Sequence, residues 1–339
     1  MRKFFWFLAF PLLLAAQDPG LNKTPEQIEM ELQVAEAQFN KALEIFNPWY
    51  TGPIFTPGAS MMPVGNGNTQ PYLFITDTYA AFNKDRKSIS LASHQVQLKG
   101  TANIATGITP NFDFNLNFAA LENWQFSHTG GGFGDMSLVG GFLIYQQTRY
   151  VPQMKLSITQ VFPTGKYKNL STNGFGLNST GGGAYSTQFG LTFSKVMFWT
   201  TKHPINMRIF FGYQLSTVVH VRNFNTYGGG FGTRGHVRPG NTLSVDYGFE
   251  FSINQQWVLA TDVVYSATNR TKFHGNPGLR DGSPASVGNG YSDNLSLSPA
   301  IEYNFNENVG LIAGVWFSVY GRNSGNFASG IISVTYSFP

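Results

Sequence analysis

Apolar and polar residues alternate along most of this chain. Residues 294–305, NLSLSPAIEYNF, place Leu295, Leu297, Pro299, Ile301, Tyr303 and Phe305 at every second position. Ser296, Ser298, Ala300, Glu302 and Asn304 fill the gaps. A strand sends successive side chains to opposite faces, so this segment has one greasy face and one polar face. PNFDFNLNF (110–118), HPINMRIFFGYQLS (203–216), LSVDYGFEFSI (243–253) and ASGIISVTYSF (328–338) repeat the pattern. Weaker alternation runs through 72–82, 88–107, 134–149, 153–162, 184–198, 256–268 and 308–320. The sum is about twelve strands of roughly ten or more residues, the number and length of a small outer-membrane barrel.

Connection lengths separate lipid from a soluble core. TPNF (109–112), RYVP (149–152), WTTKH (199–203), NQQ (254–256) and NEN (306–308) are short. They alternate with SHTGGGF (127–133) and the long stretches 163–183, 221–240 and 269–290; two outer turns, 83–87 and 321–326, are short. Short periplasmic turns alternating with longer outer loops mark a membrane barrel, and a soluble sandwich has no reason for that parity. The greasy face is therefore assigned to lipid. Trp257, Tyr265, Tyr303 and Tyr336, near strand ends, fit aromatic girdles. Pro299 cannot donate to a ladder, and a bulge is expected there.

Only one segment has a helical period. In 24–46, Ile28, Leu32, Ala35, Phe39, Ala42 and Phe46 form one stripe, and Thr24, Pro25 and Gln27 form a capping box with a proline in the first turn. Residues 47–70 are rich in Pro and Gly and read as irregular. The expected organisation is a signal peptide at 1–16, an amphipathic helix at 17–47, a Pro/Gly-rich linker or plug at 48–70 and a barrel at 71–339. Two placements of the amino-terminal region stay open: entry into the lumen, or a helix lying in the periplasm or pairing with a partner.

Composition narrows the compartment. Arg2 and Lys3 precede an apolar run from Phe4 to Leu14 and then Ala15 and Ala16, the layout of a secretory signal. Its removal leaves twenty Lys and Arg against eighteen Asp and Glu, a net +2, too near neutral to point to nucleic acid. The chain has no cysteine, so an exported fold is held without disulfides. The expected location is the bacterial outer membrane.

Three successive segments carry a family resemblance: GFGDMSLVGGFLIYQ (132–146), PQMKLSITQVFPTGKY (152–167) and GAYSTQFGLTFSK (183–195). With a G-x-G-D strand start at Gly132, Gly134 and Asp135 and a P-T-G-x-Y exit at Pro163, Thr164, Gly165 and Tyr167, the series resembles the outer-membrane transporters of meta-pathway phenol and aromatic degradation, distant relatives of the long-chain fatty-acid channels. The resemblance covers roughly residues 50–338. It implies a barrel admitting small hydrophobic or aromatic molecules, without naming the solute. Its partners are then outer-membrane lipid and lipopolysaccharide, a small-molecule solute and the barrel-assembly machinery. Such barrels commonly end on an aromatic residue, whereas here Pro339 follows Phe338.

With the apolar set on lipid, the inward charges are Asp113, Lys155, Arg208, Asp246, Glu250, Asp262 and Glu302. Four of these acids fall on the eighth to tenth strands, while Lys155 and Arg208 come from the fifth and seventh. Opposed charges at a constriction would orient water and solute. Lumen salt bridges such as Arg208 with Glu250 would instead stiffen the barrel. Both readings stay open.

Catalytic signals fail on context. GFGTRG (230–235) matches a dinucleotide fingerprint, but Pro239 follows closely and no helix does, so it reads as loop. Arg222, Arg234, His236 and Arg238 make that loop basic, which suits lipopolysaccharide phosphates. His94, His128, His203, His220, His236 and His274 show no metal-ligand spacing. Ser93 and His94 are adjacent, so in a strand they face opposite ways. No cofactor, metal site or catalytic residue is expected. The primary reading is a passive channel; the alternative is a structural or adhesive surface protein working through the long loops.

Overall fold

The computed structural model describes residues 23–45, 49–197 and 203–339; the expected signal peptide and most of the turn at 199–203 lie outside the described residues. Helix α1 (Pro25–Ile45) starts as its sequence dictates. Gln27 N donates to Thr24 Oγ1 at 3.3 Å and Thr24 N to Gln27 Oε1 at 3.0 Å, the reciprocal capping box.

An antiparallel meander follows. Its first members are β1 (Gly67–Phe82), β2 (Ser88–Thr109), β3 (Phe112–Gln125), β4 (His128–Phe133), β5 (Met136–Tyr145), β6 (Gln153–Phe162), β7 (Ser186–Met197) and β8 (Ile205–Ser216). After the outer strands β9 (Val219–Arg222) and β10 (Arg234–Arg238), the wall resumes with β11 (Thr242–Ser252) and β12 (Trp257–Thr268). The loop strands β13 (Lys272–Asn276), β14 (Leu279–Arg280) and β15 (Ser283–Pro284) lead to β16 (Ser292–Asn304), β17 (Val309–Arg322) and β18 (Ser324–Phe338). β4 and β5 both pair with β3 and occupy one position, so the wall has twelve positions. β1 pairs with β18 from Gly67↔Phe338 to Phe82↔Ser324, which closes the barrel and removes both edges.

The alternation sorts the two faces as the pattern requires. Leu73, Ile75, Ile104, Phe118, Phe211, Tyr213, Leu243, Leu259, Ile301, Val315, Ile332 and Val334 are exposed on the outside. Asp246, Glu250 and Ser252 on β11, and Ser296, Ser298 and Glu302 on β16, are buried on the inside. An apolar belt of this extent is stable only against hydrocarbon, and the chain is an outer-membrane barrel.

Two local expectations are corrected. The stretch 127–133 is not a plain connection: it contains β4, which extends the β3 hairpin, pairing from Gln125↔His128 to Ala120↔Phe133. Its glycines hide a strand that has few side chains to alternate. Pro299 makes no bulge, since it stands in register opposite Thr261. The register shift on β16 falls at Leu295/Ser296, and the ladder toward β17 lapses between Leu297 and Ala300, the local effect of a residue without an N–H.

Beyond the membrane, β9, β10 and β13 form a small sheet. One face buries Val219, Val221 and Val237 against Ala184, Tyr167, Tyr227, Phe273 and Val287. The other face is exposed and basic.

Candidate functional site in the barrel lumen

Residues 49–66 enter the lumen and leave it at the same rim. Trp49 O accepts from Asn304 Nδ2 at 3.1 Å and Ser252 Oγ donates to the Tyr50 hydroxyl at 3.2 Å, both at strand ends. At the other end, Val64 bridges Gly107 and Gly65 N donates to Gly107 O at 3.1 Å. Between these anchors the segment crosses the lumen, meeting Asp262 through Thr56 N and Ser194 through Ala59 N.

The acids of one wall hold this segment by its backbone. Thr51 N donates to Glu302 Oε2 at 2.9 Å. Asp262 takes three bonds: Phe55 N at 3.2 Å, Thr56 N at 2.9 Å and Thr56 Oγ1 at 2.6 Å. Backbone N–H groups aimed at a buried carboxylate act as charge-assisted donors, each about 1.5–3 kcal/mol. Asp262, Glu250 and Glu302 are each 0 % exposed. Gly248 leaves room for the approach, since a Cβ there would lie 2.9 Å from both Pro53 and Thr56.

Opposite charges on neighbouring stretches of the wall pair with each other. Arg208 Nη2 lies 2.8 Å from Glu250 Oε2, and its guanidinium packs against Gly52 and Gly58 of the inserted segment. Lys155 Nζ lies 2.6 Å from Asp113 Oδ2 and donates to Ser60 O at 3.3 Å. This second pair spans from β6 to β3 across β5. Gly141 permits it, because a Cβ at that position would collide with both side chains. Asp246 is buried nearer the outer end of β11 and makes no hydrogen bond to the segment. Five of the seven sequence-predicted lumen charges therefore meet residues 49–66 directly: Asp113 accepts from Met62 N at 3.4 Å, and Lys155, Arg208, Asp262 and Glu302 make the contacts above.

The segment does not fill the barrel. A cavity of about 560 Å³ remains on its other side, lined by Lys99, Asn103, Asp113, Lys155 and Arg208 together with Tyr72 and Phe74. Aromatic rings of the inner wall continue through Phe55 of the inserted segment: Phe327 and Trp316 are 4.3 Å apart, Trp316 and Phe55 4.6 Å, Phe55 and Phe74 6.1 Å, and Phe74 and Tyr72 5.9 Å. Sequence reasoning assigned the inner face to polar residues and missed this stripe. The signal was present in PYLFITDT, where Tyr72 and Phe74 fall on the face opposite Leu73 and Ile75, so both faces are apolar.

The glycine-rich motif residues lie elsewhere, at the outer loops. Asp135 Oδ1 accepts from Gly165 N at 2.9 Å and Oδ2 from Gly182 N at 2.8 Å, clamping both ends of the 163–183 loop. Thr164 Oγ1 donates to Gly134 O at 2.8 Å and accepts from Met136 N at 3.0 Å. Pro163 begins this exit just past β6, and Gly132 ends β4's glycine run. Tyr167 packs on the outer sheet's apolar face, where Tyr227 donates to Gly182 O at 2.6 Å. Burial pushes the Tyr227 phenol up to about 12, so it remains a donor at any ordinary pH.

The histidines were read singly from sequence, but three come into register. His236 stands opposite both His220 and His274, and the rings of His220 and His236 lie 4.2 Å apart. Among the described residues, no three His, Cys, Asp or Glu side chains are arranged to hold a metal ion.

A family model described as putative MetA-pathway of phenol degradation matches residues 66–336. The chain is similar in fold to an outer membrane channel from Pseudomonas putida F1, with a TM-score of 0.65 at 12% identity over 84% of this chain and 100% of that one. Weaker likenesses are to the transport unit of autotransporter AIDA-I from Escherichia coli (TM-score 0.44, 12% identity, 89% of this chain, 98% of that one) and the translocator domain of NalP from Neisseria meningitidis (0.43, 13%, 92%, 98%). No curated protein matches the chain.

Proposed function

Since the chain belongs to the family described as putative MetA-pathway of phenol degradation, we propose that it is a passive outer-membrane channel for small hydrophobic or aromatic molecules. The observation that carries this reading is the ring sequence Phe327, Trp316, Phe55, Phe74 and Tyr72, which leads from the inner wall past the inserted segment to the cavity beside it. Stacking surfaces spaced a few ångströms apart let a planar solute pass from one to the next without full hydration. The partly filled lumen favours weak, selective passage over bulk flow.

Planar-bilayer recording tests this. The protein conducts a small ionic current that benzyl alcohol reduces in a concentration-dependent way, and Phe74→Ala weakens the block by about threefold or more. Absence of any current, in this protein and in Arg208→Ala and Glu302→Ala alike, would sink the proposal.

No catalytic step enters this reading. His94 pairs with Asp77 at 3.0 Å, while Ser93 Oγ accepts from Phe126 N and donates to the His94 carbonyl, so the hydroxyl is turned to backbone groups.

Two partners belong to the same proposal. The exposed face of the outer sheet carries Arg222, Arg234, Arg238 and Lys272 beside His220, His236 and His274, a set suited to lipopolysaccharide phosphates. Replacing Arg222, Arg234 and Arg238 by Ala lowers the lipopolysaccharide retained on purification while conductance stays as it was; unchanged retention would remove this partner. The barrel-assembly machinery would insert the chain through its terminal strand, β18.

A further inference from the structure

The inserted segment separates most of the lumen charges into two sets, with Arg208 reaching both and Asp246 standing apart toward the outer end of β11, outside the cavity lining. Behind it lie Glu250, Asp262 and Glu302, each 0 % exposed, with backbone N–H groups of Thr51, Phe55 and Thr56 turned onto Asp262 and Glu302 and with Arg208 on Glu250. In front of it lies the cavity, whose charged lining is Lys99, Asp113, Lys155 and Arg208. Three of these four are cations, and the single acid is already bound to Lys155. Lys99 has no acidic partner among the described residues; its Nζ lies 6.0 Å from the centre of the Phe74 ring, next to Tyr72.

We propose that residues 49–66 set the charge preference of the passage: they cover the acidic wall and leave a cationic one, so the channel takes organic anions, aromatic carboxylates foremost. The carboxylate meets Lys99, and the ring lies against Phe74 and Tyr72. This rests on the channel reading above and narrows its solute class. Field strength near a lumen charge is high because protein, not water, surrounds most of the path, so one uncovered cation outweighs carboxylates already met by donors at close range. The same principle predicts the reverse once the cover is gone.

Reversal potentials across a potassium chloride gradient test it. The full chain prefers chloride, and Lys99→Ala lowers the anion-to-cation permeability ratio about two- to fourfold, the effect of one charge some 5 Å from the ion at physiological salt. Potassium benzoate blocks the chloride current in the full chain, and Lys99→Ala weakens that block more than it weakens the block by benzyl alcohol. A variant lacking residues 17–63, checked for its barrel by heat-modifiable gel mobility, prefers potassium. If that variant does not fold, Lys99→Glu provides the inversion in the intact chain. A conducting full chain that prefers potassium, or a ratio that Lys99→Ala leaves unchanged, overturns the proposal and leaves the channel standing. A chain with no current removes both.

Discussion

Removal of residues 17–63, with residues 1–16 retained, raises single-channel conductance at least about fivefold. Twelve strands about 4.8 Å apart and tilted about 40° give a backbone radius of about 12 Å, wide enough for a water-filled path even after side chains are counted. In the intact protein that path is crossed at the Asp262 and Glu302 level by the segment those two acids hold. Their grip predicts a graded companion. Asp262→Ala removes three hydrogen bonds, and the resulting traces flicker between the small intact level and the large level of the deletion. Conductance identical in the deletion and the full chain would show that the segment does not limit flow.

Arg208→Ala is expected to destabilise the barrel by about 3–5 kcal/mol, the loss typical when one partner of a buried ion pair is removed. Glu250 is 0 % exposed and would be left without a cation, with Asn206 Nδ2 at 2.7 Å still donating to it. The check is the temperature at which the folded band converts to the unfolded one in a heat-modifiability gel. Arg208→Ala/Glu250→Gln should recover most of the loss, because the second change removes the stranded carboxyl; a double variant no better than the single would mean that Arg208 acts through its packing on Gly52 and Gly58 instead.

The wall was legible in sequence because its code is local. Alternation in LSVDYGFEFSI alone sends Asp246 and Glu250 inward and Phe249 and Phe251 outward, and the structure keeps that assignment. The pairing of Arg208 with Glu250 followed from neighbouring strands. What escaped depends on contacts far apart along the chain. Asp262 reads as one more lumen charge until Thr56, about two hundred residues earlier, is seen to donate to it. Gly141 carries no chemistry of its own, yet it lets Lys155 reach Asp113. The three aligned histidines come from three separate loop strands and share no spacing. Glycine-rich β4 was hidden for a simpler reason, since residues without side chains leave no periodic trace.

The inserted segment begins beside Ser252 and Asn304 and ends beside Gly107, so both of its ends sit on the periplasmic rim. It forms a hairpin-like tongue, not a thread passed through a ring. The cylinder can therefore seal at the seam between its first and last strands before the tongue goes in. Topologically the insertion is reversible without unsealing that seam. A pull on the preceding helix from the periplasm would draw the tongue out, which makes mechanical traction on the amino terminus a natural way to open the lumen.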